Sequence, residues 1–276
     1  MLELKGRSLV LGHALLALSV VFTLAPFVYI LATSFKTEIS IATGEVLFDP
    51  TLANYQQVLF GRRSNFGRSL FNSVTVAIVS TVITLAIGLL AAYALERQKH
   101  ARLVSRLFLG WTLVFHVMPT LTLVGPWYMI FRWLDLYNTL AALVLIHVVL
   151  NLPLTVWLLM GFVREIPVEL EDAARVDGCT PFQVFWKVVR PLVTPGLIAA
   201  GVLAFVFSWN EFSVALTLAS RASATVPIGI AQFAQQFEIQ NGPMAAASMI
   251  AIIPALVLMI FGQRFVVQGL TGGAVK

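Results

Sequence analysis

Five carboxylates, Glu165, Glu169, Glu171, Asp172 and Asp177, fall within thirteen consecutive positions of a chain that is otherwise mostly apolar. Grouped on one surface, such acids offer charge-assisted hydrogen bonds to the Arg and Lys of another protein. A sixth, Glu211, stands alone inside a long apolar run, where an ionisable group is costly and faces a cavity or a partner. Glu211, with its neighbours Asn210 and Ser213 and with Asn151 close to Pro153, is a candidate lining of a translocation path or its outer gate. A carboxylate near the outer headgroups, bonded to a neighbouring helix, is the equal alternative. His13, His116 and His147 also fall in apolar runs, but no converging ligands accompany them, so packing or hydrogen bonding is expected rather than metal binding. The single cysteine, Cys179, excludes an intrachain disulfide and a multi-cysteine metal site. His-Glu-x-x-His and Gly-x-Ser-x-Gly are absent, which argues against an intramembrane enzyme. No Gly-x-x-x-x-Gly-Lys-[Ser/Thr] loop occurs either, so the chain is not expected to bind ATP or any other cofactor itself.

The elements that carry these residues are set by composition. The chain is 59% hydrophobic and 11% charged, with a mean hydropathy of +0.89, beyond what a water-facing surface allows. Runs without Asp, Glu, Lys or Arg cover 8–35, 69–95, 107–131, 136–163, 191–210 and 239–263. A bilayer core takes about 20 apolar residues as a helix. The reading is therefore all-α and transmembrane, one domain over 1–276, with six spans at about 9–34, 70–95, 107–131, 137–163, 192–219 and 240–264. The first run exceeds the roughly 7–15 apolar residues of a secretory signal and is read as an uncleaved span. With both termini placed in the cytoplasm, twelve Lys and Arg fall inside and six outside, the bias expected of cytoplasmic loops. The basic balance is thus explained by topology and calls for no nucleic acid.

The segment at about 164–191 is too polar to cross a bilayer. Pro167 suits a helix start, Leu170, Ala173, Ala174 and Asp177 recur at helical spacing, and Gly178 fits the position past a helix end. Thr180, Pro181 and Gln183 then form the signature of a capping box. Phe182, Phe185, Trp186 and Val189 give the second helix an apolar face, and Pro191 is expected to end it. A helix, a tight turn and a helix lying across the membrane surface follow. An interfacial role explains the aromatic residues. It leaves the first helix unexplained, because an anionic leaflet would repel its acids and its small Ala173 and Ala174 suit the close approach of another backbone.

The hairpin resembles the cytoplasmic EAA loop of ABC importer permeases, whose pattern is Glu-Ala-Ala, three residues, Gly, nine residues, then Ile-x-Leu-Pro. Asp172-Ala173-Ala174, Gly178, Val188 and Pro191 stand in register with it. The departures are Asp172 for Glu, Val188 for Ile and Arg190 for Leu. Across the chain, "SFKT" at Ser34 to Thr37, "NY" at Asn54 and Tyr55, "FNS" at Phe71 to Ser73, "AYALER" at Ala92 to Arg97, "WNEF" at Trp209 to Phe212 and the terminal "GLTGGAVK" are similar to the maltose-type, carbohydrate-uptake subfamily.

That resemblance implies a six-helix importer permease of type I in a bacterial cytoplasmic (inner) membrane. It also implies a second homologous permease, two cytoplasmic ATPase subunits that hold ATP and Mg, and an extracytoplasmic solute-binding protein. Glu169, Asp172, Ala173, Ala174, Asp177, Gly178 and Pro191 would form the ATPase-coupling loop, and the tail would also reach the ATPases. The solute would be an oligosaccharide, monosaccharide, polyol or glycerol phosphate. A proton-coupled secondary transporter using Glu211 is the competing reading, and it leaves the acidic hairpin without a purpose.

Overall fold

The computed structural model describes residues 6–62, 64–97, 102–234 and 239–271. These are almost wholly helical, α1 to α14 in chain order. Among them, Val10–Ser34, Phe66–Arg97, Leu140–Glu165 and Asn241–Phe265 are long and apolar enough to cross a membrane, and the bent pair Pro181–Leu192 and Thr194–Asn210 supplies a fifth candidate. The packing divides into two compact units, residues 1–67 with 229–253, and 68–228 with 254–276.

In the first unit, α1 (Gly6–Ser34) exposes apolar side chains on every side, Phe22 and Tyr29 among them. A helix apolar all round has lipid or another helix as its solvent. Its end is held by side chains from the following loop. Asn54, on α3 (Ala53–Phe60), donates through Nδ2 to the carbonyls of Ser34 and Lys36 at 2.9 and 2.8 Å, and the Tyr55 hydroxyl lies 2.8 Å from Ser34 Oγ. Thr37 caps the short α2 (Glu38–Ala42). Gly242, at the start of α14 (Asn241–Thr271), lies so close to Asn54 that a Cβ there would stand 2.6 Å from its Oδ1. The "SFKT" and "NY" stretches thus close one knot of hydrogen bonds.

The second unit is built around α7 (Leu140–Glu165), which buries thirteen of its side chains. Before it come α4 (Phe66–Arg97), α5 (Arg102–Val117) and α6 (Thr120–Trp133). After it come the hairpin helices, α11 (Thr194–Asn210), α12 (Ser213–Leu218) and α13 (Val226–Ala231). Small residues set the spacing: a Cβ on Gly196 would meet the Phe162 ring at 2.4 Å, and one on Gly88 would meet Thr155 at 2.9 Å. Such residues let helix backbones approach where lipid offers no hydrophobic drive.

Two expected spans are interrupted. The run 107–131 is not one helix: α5 stops at Val117, and Pro119, at φ −59° and ψ 128°, opens α6. Proline has no N–H to continue the ladder and turns its predecessor, Met118, away from helical geometry. The span drawn over 192–219 is likewise two helices, α11 and α12, with extended backbone at Glu211. There the Glu211 carboxylate accepts the N–H groups of Val214 and Ala215 at 2.8 and 3.0 Å, satisfying donors a new helix leaves free.

The segment after α12 is fixed by amides. Asn138, left-handed at φ 59°, accepts through Oδ1 from Ser220 N, Ser223 N and Ser223 Oγ, and its own N–H donates to Leu218 O. Asn72 donates to the carbonyls of Ala222 and Ala224. Asn138→Ala is expected to lose about 1–3 kcal/mol, because three donors lose their acceptor and alanine tolerates the left-handed region poorly. The thermal midpoint in detergent should fall by roughly 5 °C, whereas Asn138→Asp, which keeps the acceptor, should fall less.

Candidate functional site

The hairpin begins with α8 (Val168–Val176), flanked by Pro167 and Asp177, within a residue of the expected bounds. Gly178 sits at φ +85°, its N–H donating to Arg175 O, while the N–H of Cys179 donates to Ala174 O. This pattern closes a helix through a left-handed residue, and glycine adopts it at no steric cost. Thr180 and Gln183 exchange the two capping-box bonds that start α9 (Pro181–Val184).

Pro191 does not end the second helix. A π turn over Phe185–Val189 precedes α10 (Arg190–Leu192), and Arg190 N–H reaches back to Phe185 O. The wider turn lets the chain continue past a proline that cannot donate in the ladder. The chain bends by 72° between Leu192 and Thr194. Pro195 lies one residue further on and lacks the N–H that would carry the ladder across the bend.

The two faces of the hairpin differ from the expected ones. Glu171 is no part of an acidic rim: its side chain is fully buried. Oε1 accepts from Arg97 Nε at 2.6 Å and Oε2 from the Tyr93 hydroxyl at 2.8 Å. Arg97 also donates to the carbonyls of Val163 and Ile166 at 2.9 and 2.8 Å, at the end of α7 where helix carbonyls lose their intrahelical partners. Val184, Phe185 and Val189 are buried, with the Phe185 ring edge-on to Tyr93 at 5.3 Å. Phe182 and Trp186, expected in the same apolar face, are exposed and stacked on each other, and Arg190 lies over Trp186 at 4.4 Å. That stacking accounts for an arginine at a place where the motif has leucine.

The outward face therefore carries Glu169, Asp172, Ala173, Asp177 and Gly178, all exposed, with Ala174 half-buried. Leu170 and Val176 lie bare among them. Asp172 pairs with Arg175 at 2.8 Å along the same helix.

A second polar site lies between α7 and α11. A cavity of about 270 Å³ is lined by His147, Asn151, Ser208, Glu211 and Thr120 together with apolar side chains. His147 is buried; its Nδ1 lies 2.5 Å from Ser208 Oγ and its Nε2 lies 3.7 Å from Glu211 Oε2. Asn151 donates to the His147 carbonyl at 2.8 Å. Of the residues expected to line a path, Asn151 and Glu211 come together here. Asn210 is exposed, with its amide on Val206 O, and Ser213 is half-buried; neither lines the cavity. The last five residues of the "GLTGGAVK" tail lie outside the described residues.

From sequence, Tyr93, Arg97 and Ser208 carry no expected role, Glu171 is grouped with its acidic neighbours, and His147 is expected only to pack or hydrogen-bond. Tyr93 and Arg97, like His147 and Asn151, are four apart and so share a helix face. That spacing was visible; the partners, far away in the chain, were not.

Residues 84–270 match the model of the family described as binding-protein-dependent transport system inner membrane component. The chain is 38% identical over 273 residues to the trehalose transport system permease protein of Mycobacterium tuberculosis, covering 98% of this chain and 95% of that one. To the sulfoquinovosyl glycerol transport system permease protein of Agrobacterium fabrum it is 39% identical over 259 residues, covering 92% and 89%. Its fold matches a solved bacterial ABC transporter involved in import of the acidic polysaccharide alginate, with TM-score 0.79 at 20% identity, covering 96% of this chain and 99% of the other. A membrane permease fold, a hairpin with the EAA-loop spacing and relatives matched over nearly their whole length agree: this chain belongs to the binding-protein-dependent transport system inner membrane components, the permeases of ABC importers.

Proposed function

We propose that this permease carries a sugar or related polar solute inward, and that ATPase subunits drive it through the 164–191 hairpin. The observation that carries the reading is the two-sidedness of that hairpin. Its inner face is tied to α4 and α7 through the buried Glu171–Arg97 pair, while its outer face shows small residues, Asp and Glu, and a glycine turn. A rigid knob with a small-residue, acidic surface fits a groove on another protein that carries Arg or Lys.

In this reading both termini and the hairpin lie on the cytoplasmic side. A second, homologous permease pairs with this one, two ATPases bind ATP and Mg, and a solute-binding protein delivers from outside. The ATPases must hold the hairpin in both states and favour the outward-facing arrangement when ATP is bound, since only a difference in binding shifts the equilibrium. The 72° bend between the hairpin and α11 passes a displacement of the knob on to the helix that lines the polar cavity. The relatives named for trehalose and sulfoquinovosyl glycerol support a carbohydrate-like solute.

Cys179 follows the glycine turn and is partly exposed. Cross-linking from Cys179 in native membranes with a short heterobifunctional reagent should attach a protein containing a phosphate-binding loop, identifiable by mass spectrometry. A thiol joined only to lipid would overturn the coupling role and leave an interfacial hairpin.

A further inference from the structure

His147 is buried, yet its Nε2 has no hydrogen-bond partner and faces a polar cavity. An orphaned polar atom in such a place calls for a ligand or a water. Glu211 Oε2 lies 3.7 Å away, too far for a direct bond. We infer that His147 and Glu211 form a subsite for one hydroxyl of the transported solute, a group that accepts from Nε2–H and donates to the carboxylate at the same time.

The tautomer this needs is supplied by the surroundings. The Glu211 carboxylate favours an N–H over a lone pair on the nitrogen that faces it. Ser208, 2.5 Å from Nδ1, then donates to that atom, and Ser80 Oγ lies 3.2 Å behind Ser208 Oγ to continue the chain. Glu211 is itself held by the N–H groups of Val214 and Ala215, so donor and acceptor are both fixed before solute arrives. Asn151, on the next turn of α7, is anchored to His147 O and leaves its amide oxygen for a neighbouring hydroxyl. The cavity, about 270 Å³, is close to the lower end of the size range of small-ligand sites. Hydroxyl-rich solutes fit this pair, because each hydroxyl is both donor and acceptor.

This subsite rests on the proposed sugar import, so the test reads the two separately. In the whole importer, Leu154→Cys on the cavity wall is combined with Cys179→Ala, and labelling by a small hydrophilic methanethiosulfonate is timed. Trehalose, maltose and diacetylchitobiose are the probes, and ATP-driven uptake of each radiolabelled sugar is measured in parallel. A sugar that is taken up should slow the labelling. His147→Phe should raise the sugar concentration for half-protection by about tenfold, the effect of one lost hydrogen bond, while His147→Gln, which keeps a donor, should restore part of it. Uptake with no protection, or with equal protection in His147→Phe, would overturn the subsite and leave the import reading standing. Failure to take up any of the three would overturn import of these disaccharides and, with it, the subsite for their hydroxyls.

Discussion

Glu171→Ala should release the hairpin from the membrane helices and abolish uptake while the protein still inserts. The carboxylate is fully buried and satisfies Arg97, itself only 15% exposed, as well as the Tyr93 hydroxyl. Removing one partner of a buried pair leaves the other charge unpaired, at about 3–5 kcal/mol. The penalty falls on the local equilibrium that keeps the knob seated, so opening should become about a hundredfold more frequent or greater. Trypsin cleavage at Arg175 and Lys187, both exposed on the hairpin, would report it directly. Arg97→Ala should behave alike and should also take a donor from each of the Val163 and Ile166 carbonyls. The double replacement Arg97→Met with Glu171→Leu separates charge from packing: apolar groups of similar volume often replace a buried pair at little cost, so cleavage should return towards normal. Unchanged cleavage and uptake in Glu171→Ala would show that the pair does not hold the hairpin.

The same residue shows where reading the sequence stops. Hydropathy located the long helices because lipid demands unbroken apolar runs, and the turn of the hairpin was legible because Gly178 and the Thr180–Gln183 box act locally. Glu171 looks in sequence like its acidic neighbours, although one helix places it inward and Glu169 and Asp172 outward. Arg97 and Tyr93, seventy-four and seventy-eight positions earlier, decide that difference. The breaks at Pro119 and Glu211 divide along the same line. The first falls at a proline, whose missing N–H is a local signal although the expected 107–131 span runs through it, whereas the second depends on a carboxylate folding back onto Val214 and Ala215, which composition does not reveal. In the cavity, Asn151 and Glu211 stood out as polar residues in apolar runs, but Ser208 is too ordinary a residue for a membrane helix to be noticed before His147 is seen beside it.

The second large effect belongs to Gly178. At φ +85° the turn lies in the region that L side chains rarely adopt, and no atom lies within 4 Å of where a Cβ would stand. Gly178→Leu therefore meets no collision within this chain, and its cost is conformational, about 1–2 kcal/mol. That is too little to prevent insertion but enough to move the turn out of the left-handed region and disturb the bonds from Gly178 N to Arg175 O and from Cys179 N to Ala174 O. A leucine side chain would also project from the outward face, where a docked partner has to approach closely. Uptake by correctly inserted Gly178→Leu is expected to fall at least tenfold, with trypsin sensitivity at Lys187 little changed because the Glu171 anchor remains. Gly178→Asn divides the two contributions, since asparagine enters the left-handed region more readily than leucine does. If backbone strain is the cause, Asn should recover most of the uptake; if contact with the ATPase is, Asn should remain impaired even though the turn is intact. Normal uptake by Gly178→Leu would remove the turn from the coupling path and move the search for the docking contact to the exposed Leu170 and Val176.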